Sequence, residues 1–135
     1  MRLIIVTGQE GSDVENLFRR TISEHKYTYD DAHKMVFPEK SSLIHHPNSL
    51  YNNSRRVVKE HIENDEDLFI LTFSDYVMYG ILVEIKNHGY KDAVIHQLKI
   101  NGEDVVSKIK SCGRYEYVEG VFDVIDKALD ELLDI

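Results

Sequence analysis

The feature of the sequence that most constrains the fold is an apolar run from Leu68 to Phe73, interrupted only by the small hydroxyl side chain of Thr72. Acidic residues stand directly before this run and shortly after it. A strand covered on one face alternates apolar with polar residues, whereas a strand covered on both faces reads as a continuous apolar run. The run therefore predicts a buried strand in a parallel sheet that helices flank.

Helical and strand periodicity alternate along the rest of the chain. In chain order, the pattern predicts a strand at 3–7, helix 13–24, a short strand at 42–45, helix 49–64, the strand at 68–73, a helix from Ser74 or Asp75 to 87, strands at 93–100, 105–110 and 114–118, and helix 121–133. Residues 27–40 have scattered aromatic side chains and no clear period. Asn101-Gly102 is a strong hairpin signal, so the strands beside it are expected to run antiparallel. The order predicts an α/β fold with a short, mainly parallel sheet and an antiparallel C-terminal extension.

Composition narrows the class of protein. The chain has 135 residues, of which 42% are hydrophobic, so we expect one domain over 1–135 with a packed core. Its 16 basic and 24 acidic residues give a net charge of −8, which argues against direct nucleic-acid binding. The one cysteine, Cys112, excludes an internal disulfide and favours a cytoplasmic location. No apolar run approaches the length of a membrane span, and no signal-peptide cleavage site follows the first strand.

The turn between the first predicted strand and helix is a candidate phosphate-binding loop. Backbone N–H groups and a helix N-terminus face an anion at such a turn. The P-loop motif also needs a lysine after its last glycine. Here Gly8 and Gly11 are three residues apart, no lysine follows, and Asp13 stands near that place. We therefore favour an ordinary glycine turn with Ser12 or Asp13 as helix N-cap, and keep nucleotide binding as the alternative.

Several segments together resemble a known family. Ile44-His45-His46-Pro47 is similar to an H-L-H-P stretch, and Thr72-Phe73-Ser74-Asp75 is similar to T-H-S-D. Residues 92–96 and 113–123 are similar to a strand and to a closing G-R-I-type segment of the same proteins. These are the ABC-like ATPase heads of the OLD type and related AAA ATPases of bacteria and phages. The resemblance extends over 41–135 and, more weakly, over 1–24, and it implies a P-loop-NTPase-like sheet.

The sequence differs from that family at the residues that carry out its chemistry. The phosphate-loop lysine and the acidic pair that binds Mg²⁺ have no counterpart, and Phe73 replaces the switch histidine. Phosphoryl transfer depends on a positioned cation, metal and water-orienting group. The resemblance therefore implies a reduced, degenerate head without catalytic residues, a pseudo-ATPase.

Two functions are compatible with these residues. The first is a non-catalytic interaction or regulatory protein of phage or mobile-element origin, without a cofactor, whose partner is a related ATPase or a host factor. A homodimer is the default oligomeric state. The alternative is a nucleotide-binding protein or weak ATPase that uses ATP with Mg²⁺. In that case Gly8, Gly11 and Ser12 contact phosphates, and Ser74 or Asp75 approaches the γ-phosphate.

Other residues give weaker signals. Seven histidines are present, but no H-E-x-x-H or Cys/His cluster, so no metal site is predicted. A His45/His46/His96 site is the weak alternative, since neighbouring residues of a strand point to opposite faces. Cys112 has no base beside it in sequence, which argues against a nucleophile. The eight tyrosines favour a binding role, because tyrosine is enriched at protein interfaces.

Overall fold

A computed structural model describes residues 2–37 and 46–121 of the chain. Its elements, in chain order, are β1 (Leu3–Gly8), α1 (Val14–Glu24), β2 (Lys34–Val36), α2 (Pro47–Asn64), β3 (Leu68–Leu71), α3 (Asp75–His88), β4 (Ala93–Leu98) and β5 (Asp104–Ile109). Within the described ranges, no helix has the length and apolar character needed to cross a bilayer.

The five strands form one sheet in the order β2-β3-β1-β4-β5. The first four strands of that order run parallel, and β5 pairs antiparallel with β4. At the centre of the sheet, Ile5 of β1 pairs with Ile70 of β3 on one side and Ile95 of β4 on the other. The predicted α/β fold, with its mainly parallel sheet and antiparallel C-terminal extension, is confirmed.

Helices cover both faces of the sheet, as the apolar run at β3 predicts. Ile4 and Val6 of β1 face α1, whereas Leu3 and Ile5 face α2 and α3. The α1 side is closed by four buried apolar residues of the helix, Val14, Leu17, Phe18 and Ile22. The opposite side is closed mainly by α3, through Val77, Met78, Ile81 and Ile85. The central strands have no polar face because both of their faces are buried.

The start of α2 and the hairpin between β4 and β5 follow from residues close by in the sequence. The predicted helix at 49–64 begins earlier, at Pro47, because proline suits the first helical position and His46 caps the helix. The His46 Nδ1 accepts a hydrogen bond from the Asn48 backbone N–H at 3.1 Å. The hairpin at Asn101-Gly102 is confirmed: Lys99 N–H donates to the Glu103 carbonyl at 2.8 Å, and Gly102 takes a positive φ of 93°.

Two predictions differ from the structure. The stretch 27–40 contains β2, whose three residues are defined by pairing with β3 rather than by their own pattern. The predicted strand at 114–118 is wrong, because that segment is irregular. Its backbone bonds to the side chain of Gln97 instead of a strand ladder. The predicted strand at 42–45 and the predicted helix beyond Val121 lie outside the described residues.

Candidate functional site

The topology places a crevice at the carboxyl ends of two neighbouring strands, β1 and β3. The connection after β1 runs through α1 on one face of the sheet, and the connection after β3 runs through α3 on the other. The chain therefore leaves the two strands in opposite directions. In open α/β sheets, this topological switch point is where ligands bind.

The structure places the glycine turn after β1 at this edge and packs it tightly. A Cβ at Gly8 would lie 2.7 Å from both the Leu98 carbonyl oxygen and a methyl group of Val14. The Gln9 N–H donates to the Leu98 carbonyl at 2.9 Å, and the Ser12 N–H donates to the Gln9 carbonyl at 3.1 Å. Because these two N–H groups already bond within the protein, they are not available to cradle a phosphate.

The N-terminus of α1 is occupied by a carboxylate. Asp13 is the N-cap, and its side chain accepts a hydrogen bond from the Asn16 N–H at 3.4 Å. Glu15 follows in the first turn. Acidic groups at this position interact favourably with the helix dipole, as a bound phosphate would. The expectation of a glycine turn with a capping residue is confirmed.

The N-terminus of α3 meets the same edge from the other face. Ser74 is its N-cap: its hydroxyl accepts from the Val77 N–H at 3.3 Å, and its own N–H donates to the Thr72 hydroxyl at 3.0 Å. Asp75 is the first helical residue. The structure thus brings the turn at 8–12 and the residues Ser74 and Asp75 to adjacent strand ends, although capping accounts for both Asp13 and Ser74.

A cleft of about 490 Å³ opens at this edge between α1 and the ends of β2 and β3. Three aromatic side chains, Tyr29, Phe37 and Phe73, form much of its wall, together with Val36 and Leu71. The α1 side of the cleft is formed by three polar residues, Ser12, Asp13 and Glu15, and by Val14. Phe73 is 44% exposed, so its ring is accessible to a ligand in the cleft.

The aromatic wall is held in place by neighbouring contacts. The Tyr29 ring packs edge-on against buried Phe18, with 6.2 Å between ring centroids. The Arg19 guanidinium lies 3.9 Å from the centre of the same ring and pairs with Glu15 at 3.6 Å. The Lys34 amine stacks 4.3 Å from that ring centre and donates to the Tyr29 carbonyl. Both nearby cations are therefore engaged, and no basic side chain is among the described residues that line the cleft.

Sequence reasoning missed Tyr29 and Phe37 as site residues. Both lie in the stretch that has no clear period. Phe37 directly follows the edge strand β2, which is defined by its pairing with β3, and Tyr29 lies in a turn before that strand. The Phe37 N–H continues this pairing by donating to the Leu71 carbonyl at 2.7 Å. The density of aromatic residues between 27 and 37 is the one signal in the sequence that could have indicated them.

A larger cleft of about 640 Å³ lies at the amino edge of the sheet. Its central groups bond to one another: the Asp67 carboxylate accepts from the Arg2 N–H at 2.6 Å and from the Tyr27 hydroxyl at 2.8 Å. Burial acts to raise the pKa of Asp67, but these two hydrogen bonds and the nearby positive charges lower it overall. In this cleft Asp67 and Tyr27 bond to each other. We take the switch-point cleft as the candidate site because ligands bind at that position in open α/β sheets.

The other residues considered in the sequence, His46, His96 and Cys112, lie in different local environments. His46 caps α2, and the His96 Nδ1 lies 2.9 Å from a carboxylate oxygen of Asp104, while His45 lies outside the described residues. Cys112 is an exposed free thiol.

Searches of family models, curated proteins and solved structures found no match to this chain.

Proposed function

We propose that this chain is a non-catalytic protein-binding domain whose switch-point cleft receives a basic segment of a partner protein. One observation carries the proposal: the cleft joins an aromatic wall, Tyr29, Phe37 and Phe73, to an acidic side, Asp13 and Glu15. No basic residue is among its described lining residues. A lysine or arginine side chain has the matching chemistry, with an apolar stem below a cationic end.

The charge of the whole chain supports the same class of partner. A net charge of −8 attracts a basic surface and accelerates its association at low ionic strength. The exposed ring of Phe73 provides an apolar anchor of the kind that dominates binding energy at interfaces. A small anionic ligand would instead meet the carboxylates of Asp13 and Glu15.

The non-catalytic part of the proposal depends on residues that are absent from the sequence. The glycine turn has no lysine after it, and by the resemblance to ABC-like ATPase heads Phe73 stands where those proteins have a histidine. The resemblance to ABC-like ATPase heads suggests a related ATPase or a host factor as the partner. We further propose a cytoplasmic location, because the single cysteine suits a reducing compartment.

The test is binding of a short peptide of alternating arginine and leucine, followed through backbone amide chemical shifts. We expect shifts concentrated at Ser12, Glu15 and Phe73, and none with the same peptide carrying glutamate for arginine. Phe73→Ala and Glu15→Lys are each expected to weaken binding about tenfold, as for an interface anchor or a close charge. Tyr117→Ala is the matched control, since Tyr117 is an aromatic residue 60% exposed elsewhere on the surface. Equal losses for Phe73→Ala and Tyr117→Ala, or no binding, would contradict the proposal.

A second candidate is nucleotide binding, which the position of the cleft at a topological switch point favours. Thermal melting with millimolar ATP, ADP or GTP and Mg²⁺ separates the two candidates, because a ligand that binds only the folded state raises Tm. Our first proposal expects no change in Tm. A rise in Tm with any of these nucleotides would favour nucleotide binding instead.

A further inference from the structure

We propose that His33, His61 and Glu66 form a binding site for a divalent transition-metal ion, with Zn²⁺ as the best match. One ligand atom from each of the three residues lies within 4.8 Å of the other two. The site lies at the amino ends of β2 and β3, at the edge opposite the switch-point cleft, so it does not depend on the function proposed above.

The distances of the two histidines from Glu66 are close to those of a tetrahedral site. The His33 Nε2 lies 3.3 Å from Oε2 of Glu66, and the His61 Nε2 lies 3.9 Å from the same oxygen. Zinc binds histidine nitrogen and carboxylate oxygen at about 2.0–2.2 Å, so tetrahedral ligands lie about 3.3–3.5 Å apart. The first distance already has this value, and the second needs a shift of about half an ångström to reach it.

The tautomer of the neutral His61 ring is set by its own helix. Its Nδ1 lies 2.8 Å from the backbone carbonyl of Val57, one turn earlier in α2. A carbonyl can only accept, so in the neutral imidazole the proton is on Nδ1 and the lone pair is on Nε2, the atom that faces Glu66. Metal-binding histidines commonly donate their other ring N–H to a carbonyl in this way.

The three residues are brought together by firm backbone contacts. The Glu66 N–H donates to the His61 carbonyl at 3.0 Å, where α2 ends, and the Phe69 N–H donates to the His33 carbonyl at 3.0 Å beside β3. The His33 and His61 rings pack edge-on, with 5.2 Å between centroids. The His61 side chain is only 16% exposed and that of His33 is 56% exposed, which leaves a path for the ion and room for a water ligand.

Two imidazoles and one carboxylate favour Zn²⁺ over Mg²⁺ or Ca²⁺, which prefer an all-oxygen shell. A bound ion would connect the start of β2, an edge strand of three residues, to the end of α2. We expect the ion to stabilise this edge of the sheet.

The test uses untagged protein carrying Cys112→Ser, because the exposed thiol is itself a zinc ligand. Titration calorimetry with ZnCl2 is expected to give one ion per chain. Co²⁺ is expected to give the visible absorption of a tetrahedral site. His33→Ala, His61→Ala and Glu66→Gln are each expected to weaken Zn²⁺ binding at least about tenfold, since each removes one of three protein ligands.

His88→Ala is the matched control. His88 lies at the end of α3, and its Nδ1 also contacts a carbonyl one turn back, that of Glu84, at 3.0 Å. This variant is expected to bind Zn²⁺ as the parent does. In the parent, Zn²⁺ is also expected to raise Tm, and this rise should vanish in His33→Ala, where a mostly exposed side chain is removed. Absence of stoichiometric binding, or an equal loss in His88→Ala, would overturn the proposal.

Discussion

The Arg55 guanidinium of α2 donates from Nε to Oε1 of Glu84 on α3 at 2.9 Å, and Glu84 itself is only 4% exposed. The second oxygen of that carboxylate lies 3.4 Å from Nδ1 of His88. A buried carboxylate is costly without a hydrogen-bonded cation. The hydrogen bond to Glu84 also raises the pKa of Arg55. The pair therefore ties together the two helices that cover one face of the sheet.

Removing the arginine should cost more than losing an ordinary surface charge. We expect Arg55→Met to lower Tm by roughly 5 °C, because it leaves the Glu84 carboxylate buried without its cation. Arg56→Met is the control: Arg56 is exposed and pairs with Glu60 one turn away, a contact of little energetic value. We also expect the double variant Arg55→Met with Glu84→Leu to recover most of the loss. Equal Tm values for the two single variants would show that the pair contributes no stability.

Gly80 marks the closest approach of the same two helices. A Cβ on Gly80 would overlap the Ser54 side chain and lie 2.7 Å from the Tyr51 carbonyl oxygen. Alanine is intrinsically better in a helix than glycine by about 1 kcal/mol, so propensity alone predicts a gain. We expect Gly80→Ala instead to lower the free energy of unfolding by about 2 kcal/mol, because the helices must separate.

Urea denaturation measures this change, and Gly89→Ala serves as its control. Gly89 is the C-cap of α3 with a φ of 57° and has open space around it. Its substitution should cost only the left-handed strain, about 1 kcal/mol. A more stable Gly80→Ala protein would mean that α2 and α3 have room to adjust.

Because of Asp67, we expect the free energy of unfolding to depend on pH under acidic conditions. Burial opposes its ionisation, but the hydrogen bonds from Tyr27 and the Arg2 backbone hold the pKa of Asp67 below its ordinary value of 3.8. A carboxyl with a lowered folded pKa contributes stability that is present above the unfolded pKa and is lost as pH falls through the folded one.

We therefore expect Asp67→Asn to lower the free energy of unfolding by about 1 kcal/mol at pH 7, a value discounted for partial exposure. The difference from the parent should vanish once the pH falls below the folded pKa of Asp67. Denaturation at several pH values measures it. Asp92→Asn removes one carboxylate charge from the same cleft and is the control for the change in net charge. A constant difference down to the lowest pH would rule out ionised Asp67 as the cause.

Gln97 holds the segment after β5 against the sheet. This fully buried side chain donates to the Glu116 carbonyl at 2.6 Å and accepts from the Val118 N–H at 3.1 Å. We expect Gln97→Leu to cost about 2 kcal/mol, because the buried Val118 N–H loses its acceptor. Trypsin should also cleave faster after Arg114.

Gln9 provides the comparison for Gln97. It makes the same kind of paired contact, donating to the Glu119 carbonyl at 2.7 Å and accepting from the Ile100 N–H at 2.9 Å, but at an exposed position. Water can replace these bonds, so Gln9→Leu should cost less. Equal destabilisation by the two substitutions would count against burial as the reason for the difference.

The sequence was sufficient to predict the elements whose signals are local. Strand β3 follows from its own apolar run, helices α1 and α3 from capping residues Asp13 and Ser74, and the last hairpin from Asn101-Gly102. Each of these signals lies within a few residues of the element it defines, and the chemistry of capping or turn formation is complete there.

Only the tertiary structure decided the features that depend on distant contacts. β2 exists through its pairing with β3, and the segment at 114–118 is irregular because Gln97, some twenty residues earlier, binds its backbone. The aromatic wall of the cleft and the cluster of His33, His61 and Glu66 are likewise assembled from separate elements. Local periodicity cannot reveal them, because their energy comes from side chains that meet only after the sheet has formed.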